Sequence, residues 1–555
     1  MNEIHFHFRL AGTSYSFRTD PSPLTKARPL LSSLAASLIV LAIAAAAPAA
    51  IRMPEVISDH AILQTGKPDA VWGWAQPGDE VAVTFRAGDG KTADFHATAA
   101  ADGRWSGALP ALPAGADGVL EIRTDKDESR KIDDVLIGEV WLCGGQSNMS
   151  YLVNTQSRNR NEATTPELLA AAKGEATAAA GTLRYFQTHH RNSDVPLDDV
   201  EGTWVIATPD TVGACFALSW NFAVALHDKI HEPIGLVDSA IGGTVIEAWM
   251  PKPELDACPA GPDLEKRYQD HYDHYSPDIK AKFETDMAAW TKQYPTPELQ
   301  AQQVATKPLL NSGNSNVPAR LYNGMIRGFE PYTLKGVIWF QGDGNCPHPQ
   351  DYGVLFKTLI TTWRAHFHDE HLPFYYVEMQ NYGRPQQKPV EPNALSEIRE
   401  QQQAALELAD TDVATGVDQG IRVPNYEAHF PDKKPLGQRL AGLALDHLYG
   451  QPGLVHSPQF KTFKVEGNKV RVQFEYADGL RIRGGELAGF AIRSGDGPWA
   501  WAKGEIQGQE IVLWSDQVAS PSDVRYAWAY NPTLSVENSA GLPLRPFRTD
   551  TSSKN

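Results

Sequence analysis

Val140-Trp141-Leu142-Cys143-Gly144-Gly145-Gln146-Ser147-Asn148-Met149 is the stretch on which the reading of this chain turns. A short apolar run ends in two glycines, and a serine follows at once with an amide side chain on each side. A buried strand feeding a tight turn has this grammar, with its first polar side chain exposed at the sheet edge. Glycine tolerates positive φ and lets another molecule come close to the backbone. A helix beginning near Asn148 would set its dipole behind the amides around Ser147, an arrangement suited to the oxyanion that develops on an acyl ester. The nucleophile elbow of other serine esterases solves the same problem with a different sequence. A lone Gly-Gly-x-Ser reads equally well as a strand-to-loop turn whose serine caps a helix, so the rest of the chain has to decide.

At 555 residues the chain exceeds one ordinary domain. Residues 51–133 alternate apolar and polar, as in Val81-Ala82-Val83-Thr84-Phe85, and predict an all-β, sandwich-like module. From 134 to 455 the pattern becomes buried apolar runs separated by helical stretches. Val135–Leu142, Ile234–Ser239, Gly336–Phe340, Phe374–Met379 and Val413–Val417 read as strands, with helices over Phe216–His227, Leu355–Phe367 and Gly437–Leu448. Strands alternating with helices predict an α/β domain, a parallel sheet in three layers. A charged, Gln-rich segment at about 251–318 reads as an insertion at the C-terminal edge of that sheet. Alternation returns over 456–549 and predicts a C-terminal β-rich module.

Composition narrows the partners. The apolar fraction of 42% and charged fraction of 21% are those of a soluble globular protein. A net charge of −17 argues against nucleic acid and against an anionic membrane surface. Residues 1–50 read as a leader with a secretory signal: Lys26 and Arg28, then the apolar Leu30 to Ala45, then Ala47-Pro48-Ala49 as a cleavage site. The chain is therefore expected to be exported, periplasmic or extracellular, with no membrane attachment after cleavage. Four cysteines at 143, 215, 258 and 346 have no metal-ligand spacing; they permit at most two disulfides, with Cys143 and Cys346 each near a glycine-rich block, and buried free thiols are the expectation.

Several blocks in order give the chain a family likeness. Gly144-Gly145-Gln146-Ser147-Asn148-Met149 is followed by Gly235-Leu236-Val237-Asp238-Ser239-Ala240-Ile241-Gly242-Gly243-Thr244 and Glu247-Ala248-Trp249. Leu321-Tyr322-Asn323-Gly324-Met325-Ile326, Gly336-Val337-Ile338-Trp339-Phe340-Gln341-Gly342-Asp343-Gly344-Asn345 and His429-Phe430-Pro431 come next. Together they resemble the sialate O-acetylesterase-like group of SGNH-type carbohydrate esterases. The resemblance implies an SGNH-hydrolase-like three-layer domain flanked by the two β modules. It implies Ser147 as nucleophile and His429 as its base. The oxyanion donors it implies are the amide of Ser147, an amide in Gly242-Gly243 and the side-chain amide of Asn345, which matches the block's asparagine; Gln341, directly at the strand end, is a second candidate by its position. The implied substrate is an O-acetylated glycan, a sialate or a plant polysaccharide such as xyloglucan or xylan. No cofactor and no metal is called for.

Two features depart from the pattern or compete with it. Many SGNH hydrolases carry Asp three residues before the histidine, where this chain has Tyr426; Glu427 stands two residues before it, with a Ser–His dyad assisted by a backbone carbonyl as the other reading and Asp418 and Asp432 as weaker alternatives. His366-Phe367-His368-Asp369-Glu370-His371 has metal-ligand residue types at close spacing but reads as a solvated helix end. A reading of another class, a catalytically inactive carbohydrate-binding relative, stands beside the esterase. If Glu427 orients the imidazole, Glu427→Gln lowers kcat by on the order of tens- to thousands-fold with little change in melting temperature. Full activity of that variant across the working pH range would remove Glu427 from the role.

Overall fold

Ser129–Gly145 forms one strand of 17 residues (β1), and its burial changes halfway along. Up to Asp134 every residue but Ile132 is exposed; from Ile137 to Gly145 every residue is buried. The first half pairs with Asp117–Thr124 and Ile62–Gln64 in the N-terminal β part, whose outer face meets water. The second half lies inside the central sheet, covered on both faces. The shift of pattern that marks position 133/134 in the sequence is thus a change of cover along one unbroken strand, not a break between modules. In this computed structural model the described residues are 51–550 apart from 157–162, 297–298, 301–307, 312, 392, 421–427 and 454. The leader expected over 1–50 and the candidate acid Glu427 lie outside them. From Ala49 onward the chain forms one compact unit.

The central sheet continues through Leu183–Thr188 (β2), Gly202–Ile206 (β3), Ile234–Ala240 (β4), Gly336–Phe340 (β5), Phe374–Glu378 (β6) and Thr411–Thr415 (β7). Its order is β7-β6-β5-β1-β4-β2-β3. All neighbours run parallel except β3, which is antiparallel to β2. The last strand sits two residues earlier than the apolar run at Val413 suggests, because Thr411 and Asp412 pair with Phe374 and Tyr375 in the parallel register.

Helices close both faces. Ala217–Ile230 (α1) and Lys434–Tyr449 (α2) pack on each other over one face, where Trp141 meets Phe222 edge-on with centroids 4.9 Å apart. Tyr352–His366 (α3) and Ala394–Gln402 (α4) cover the other, where Trp339 meets Trp363 at 5.6 Å. Each such fully buried side chain contributes roughly 2–3 kcal/mol of transfer free energy, which is why these tryptophans serve the core rather than a sugar-binding surface.

The insertion is helical, with Lys252–Ala257, Gly261–Asp273 and Pro277–Gln293. The C-terminal part holds two antiparallel four-stranded sheets, which enclose Val470, Val472, Ile511, Leu513, Phe490, Tyr526 and Phe547. It is bolted to the central sheet by a buried ion pair, Arg545 donating twice to Glu378 Oε1 at 3.1 and 3.0 Å. Arg548 forks onto Glu400 at 2.7 Å on both arms. All four cysteines are free, Cys346 partly exposed and the others buried.

Gly145 ends β1 at φ +137°, and a Cβ there would stand 2.2 Å from the carbonyl oxygen of Phe340. An L side chain is strained at that φ and has no room. Gly145→Ala should destabilise the protein by ~3 kcal/mol or more, read as a lowered melting temperature; an unchanged melting temperature would contradict the assigned backbone.

Candidate active site

Parallel strands deliver their C-terminal loops to one edge of the sheet. Ser147 lies two residues beyond β1, Gly242 two beyond β4, Asn345 five beyond β5 and Gln380 two beyond β6. No helix begins at Asn148. Residues 147–149 form a turn closed by Met149 N–H and Ser150 N–H donating to the carbonyl of Gln146, at 2.8 and 3.0 Å. The helix dipole expected behind Ser147 is therefore absent, and individual amides must do its work.

Gly242 sits directly against the serine: a Cβ on it would be 3.3 Å from the Ser147 Cβ. The amides of Ser147 and Gly242 donate to no other described residue. Gly243, at φ +72°, turns the loop, and the end of the insertion braces it through Asn316 Nδ2, which donates to Gly243 O at 3.1 Å.

The two candidate side-chain donors differ sharply. Gln341 is fully buried and both its amide hydrogens are committed, to Thr244 O at 3.0 Å and to Asn345 Oδ1 at 2.8 Å. It cannot donate to a substrate without breaking one of these bonds, which corrects the expectation from its place at the strand end. Asn345 accepts at Oδ1 from Gln341 and from Ile246 N–H, and spends one Nδ2 hydrogen on Glu247 at 2.8 Å. Its second Nδ2 hydrogen has no acceptor among the described residues.

His429 stands on the loop before α2, partly exposed like Ser147. The residue before it is pinned from two sides: Ala428 O accepts from Asn148 Nδ2 at 3.0 Å and from Gln380 Nε2 at 3.2 Å. Asn148 is held in turn by the ammonium of Lys433, 2.5 Å from its Oδ1. Burial pushes that lysine well below its ordinary pKa, and it rests 3.4 Å over the Phe430 ring. The nucleophile turn and the histidine loop are thus tied together by side chains adjacent to both.

Asp343 occupies the centre. Its Oδ2 accepts from Gln146 Nε2 and from Gln380 Nε2, both at 3.3 Å. Gln146 Oε1 accepts in return from Gly342 N–H and Gly344 N–H, each at 3.2 Å. Asp343 Oδ1 is buried with no partner among the described residues. Burial raises the carboxyl above its usual pKa, against the pull of the Gln380 bond, Arg399 and His429. Asp418 is instead locked to Arg439 at 2.7 and 2.9 Å. Trp249 and Trp339 are core, and Arg399 is a buried clamp. Of the polar side chains that assemble this site, the sequence marks Gln146 and Asn148 by their place beside Ser147; Gln380 follows a strand end with no motif around it.

Two of the three histidines that the sequence offered as metal ligands are otherwise engaged. His366 is bridged between Glu330 and Glu254, 2.9 Å from each, and His371 pairs with Asp410. A different group converges: His447 Nε2 and His456 Nε2 lie 2.8 and 2.7 Å from one oxygen, Asp412 Oδ2. These are hydrogen-bond distances, shorter than the ~3.4 Å that ligands on a tetrahedral zinc keep from one another when each bond is ~2.1 Å. The cluster also lies at the N-terminal end of β7, away from Ser147, and clasps the linker to the C-terminal part.

Comparison with known proteins follows the same lines. The family described as carbohydrate esterase, sialic acid-specific acetylesterase, matches residues 137–289 and 306–446. Sialate O-acetylesterase of Mus musculus is 27% identical over 551 residues, covering 92% of this chain and 96% of its own. The Homo sapiens protein of that name is 27% identical over 536 residues, covering 89% and 92%. The crystal structure of a carbohydrate acetylesterase from Xanthomonas citri superposes with a TM-score of 0.72 at 31% identity, covering 90% of this chain and all of that one.

The Glu330 and Glu254 pairings of His366 raise its pKa to about 9, Glu330 contributing most and burial opposing. Because the folded value lies above the ordinary 6.5, the stabilisation is complete below about pH 6.5 and is lost as pH rises through about 9. His366→Gln should therefore lower the melting temperature more at pH 6 than at pH 10; an equal drop at both would mean that the imidazolium contributes nothing.

Proposed function

This chain belongs to the sialic acid-specific acetylesterase family of carbohydrate esterases, and from that premise we propose that it removes O-acetyl groups from sugars through a serine acyl-enzyme, on an SGNH-type site. The observation that carries the proposal is the double tether of Ala428 O to Asn148 and Gln380, which holds the His429 loop against the Ser147 turn. Ser147 Oγ attacks the acetyl carbonyl while His429 takes its proton. The oxyanion receives hydrogen bonds from the Ser147 and Gly242 amides and from the remaining Nδ2 hydrogen of Asn345. As the intermediate collapses and the bond from the carbonyl carbon to the sugar oxygen breaks, His429 gives that proton to the departing oxygen, which leaves as the free hydroxyl. Water, deprotonated by His429, then attacks the acyl-serine, and His429 passes that proton to Ser147 Oγ as acetate leaves. Each oxyanion donor supplies roughly 3–4 kcal/mol of transition-state stabilisation.

Orientation of the imidazole falls to a carboxylate. Glu427 is the sequence's candidate. Asp343 has the surroundings for it: a buried oxygen without a described partner, and a position one shared hydrogen-bond donor away from Ala428. Asp343→Asn and Glu427→Gln, assayed together, separate the two, since the acid's loss lowers kcat far more than KM. We read the chain as exported, periplasmic or extracellular, which fits polymeric or cell-surface glycans as substrates.

The test is acetate release from acetylated sialosides, xyloglucan, xylan and pectin, with 4-nitrophenyl acetate as a small reference ester. Ser147→Ala should lose activity on all of them by a factor of roughly 10⁴ or more while remaining folded. Near-wild-type turnover in that variant, or no acetate from any sugar with the native protein, would overturn the proposal and leave the sugar-binding relative in its place.

A further inference from the structure

The loop after β6 does more than supply Gln380. Arg399, fully buried on α4, donates to Met379 O and Gln380 O on this loop at 2.9 and 2.7 Å. The same guanidinium donates to Ala529 O and Tyr530 O in the C-terminal β-rich part, at 2.8 and 3.1 Å. Asn531 continues the seam, accepting from Asn381 Nδ2 and donating to Gly383 O, both at 2.7 Å. Tyr382 N–H donates to Tyr530 O at 3.3 Å. The segment 529–531 is therefore carried by the C-terminal part but fixed to the wall of the Ser147 site.

Tyr530 is 36% exposed, one of few large aromatic or aliphatic side chains so open to solvent. Its ring lies 5.5 Å from that of Tyr382, the planes inclined at 57°. Tyr382 follows by two residues the Gln380 side chain that binds Asp343 and Ala428 O, and its N–H holds Tyr530, which places the two rings beside the site rather than on a remote surface. A tyrosine has an apolar face and a polar tip. Two such faces set at an angle suit a pyranose ring, whose axial C–H groups form an apolar face and whose hydroxyls and ring oxygen lie around its edge.

We propose that Tyr530 and Tyr382 form a sugar-binding platform at the rim of the active site, so that the C-terminal β-rich part contributes to substrate recognition. The platform takes the sugar that carries the acetyl group or its neighbour in the chain, and it has no counterpart to hold in a small aryl acetate. This rests on the esterase reading above.

The experiment uses the full chain, the sugar ester of the panel that it deacetylates fastest, and 4-nitrophenyl acetate. Tyr530→Ala should lower kcat/KM for the sugar ester about tenfold more than for the aryl ester, chiefly through KM, and Tyr530→Phe should restore most of it. Tyr382→Leu, which keeps bulk but loses the ring, is the second arm and should move the same ratio in the same direction. A parallel loss on both esters, or an unchanged ratio in a folded Tyr382→Leu or Tyr530→Ala, overturns the platform while leaving the serine mechanism standing. Failure of the esterase reading shows separately, as retained activity in Ser147→Ala.

Discussion

One strand sets the terms for everything else. Ser129–Gly145 is hydrogen-bonded along its length to four others, Asp117–Thr124, Ile62–Gln64, β4 and β5. A one-residue slip in such a strand would turn its whole side-chain set over, and with two sheets' worth of partners no slip is available. Its terminal glycine lies against Phe340, so the turn that presents Ser147 starts from a fixed point. The nucleophile's position is therefore a consequence of sheet register rather than of the loop that bears it.

Around that fixed point the site is built mostly from side-chain amides. Gln146, Asn148, Gln341, Asn345 and Gln380 are all buried, and each bridges two segments that are far apart in sequence. An amide offers two donors and two acceptor lone pairs without a net charge to desolvate. It can thus join loops in a dry pocket where an ion pair would cost several kcal/mol. Two of the charged groups among them, Asp343 and Lys433, are wrapped by these amides or by aromatic faces.

How far the sequence revealed this depended on range. The parallel sheet could be read because continuous apolar runs such as Gly336–Phe340 have no other good explanation, and the serine turn because glycines flag an unusual backbone. Strands Leu183–Thr188 and Gly202–Ile206 escaped notice because polar residues interrupt their apolar runs, Arg184 and Gln187 in the first and Thr203 in the second. The motif put forward Asn345 and the strand end put forward Gln341, and their partners tell the two apart. His366 and its neighbours looked like a cluster along the chain, whereas Asp412, His447 and His456 come together only through the fold.

The clamp formed by Arg399 has a bearing on how such proteins can be cut and recombined. Four carbonyls from two parts of the chain meet one guanidinium, and none of them depends on which side chain its residue bears. A trimmed catalytic core ending near residue 455 would leave that cation buried with half its acceptors gone and one wall of the pocket unlined. Conversely, a foreign β module could be grafted in its place if it presented two carbonyls at the same spacing. The seam is thus indifferent to side-chain sequence and strict about backbone geometry, which lets the rim vary while the join stays constant.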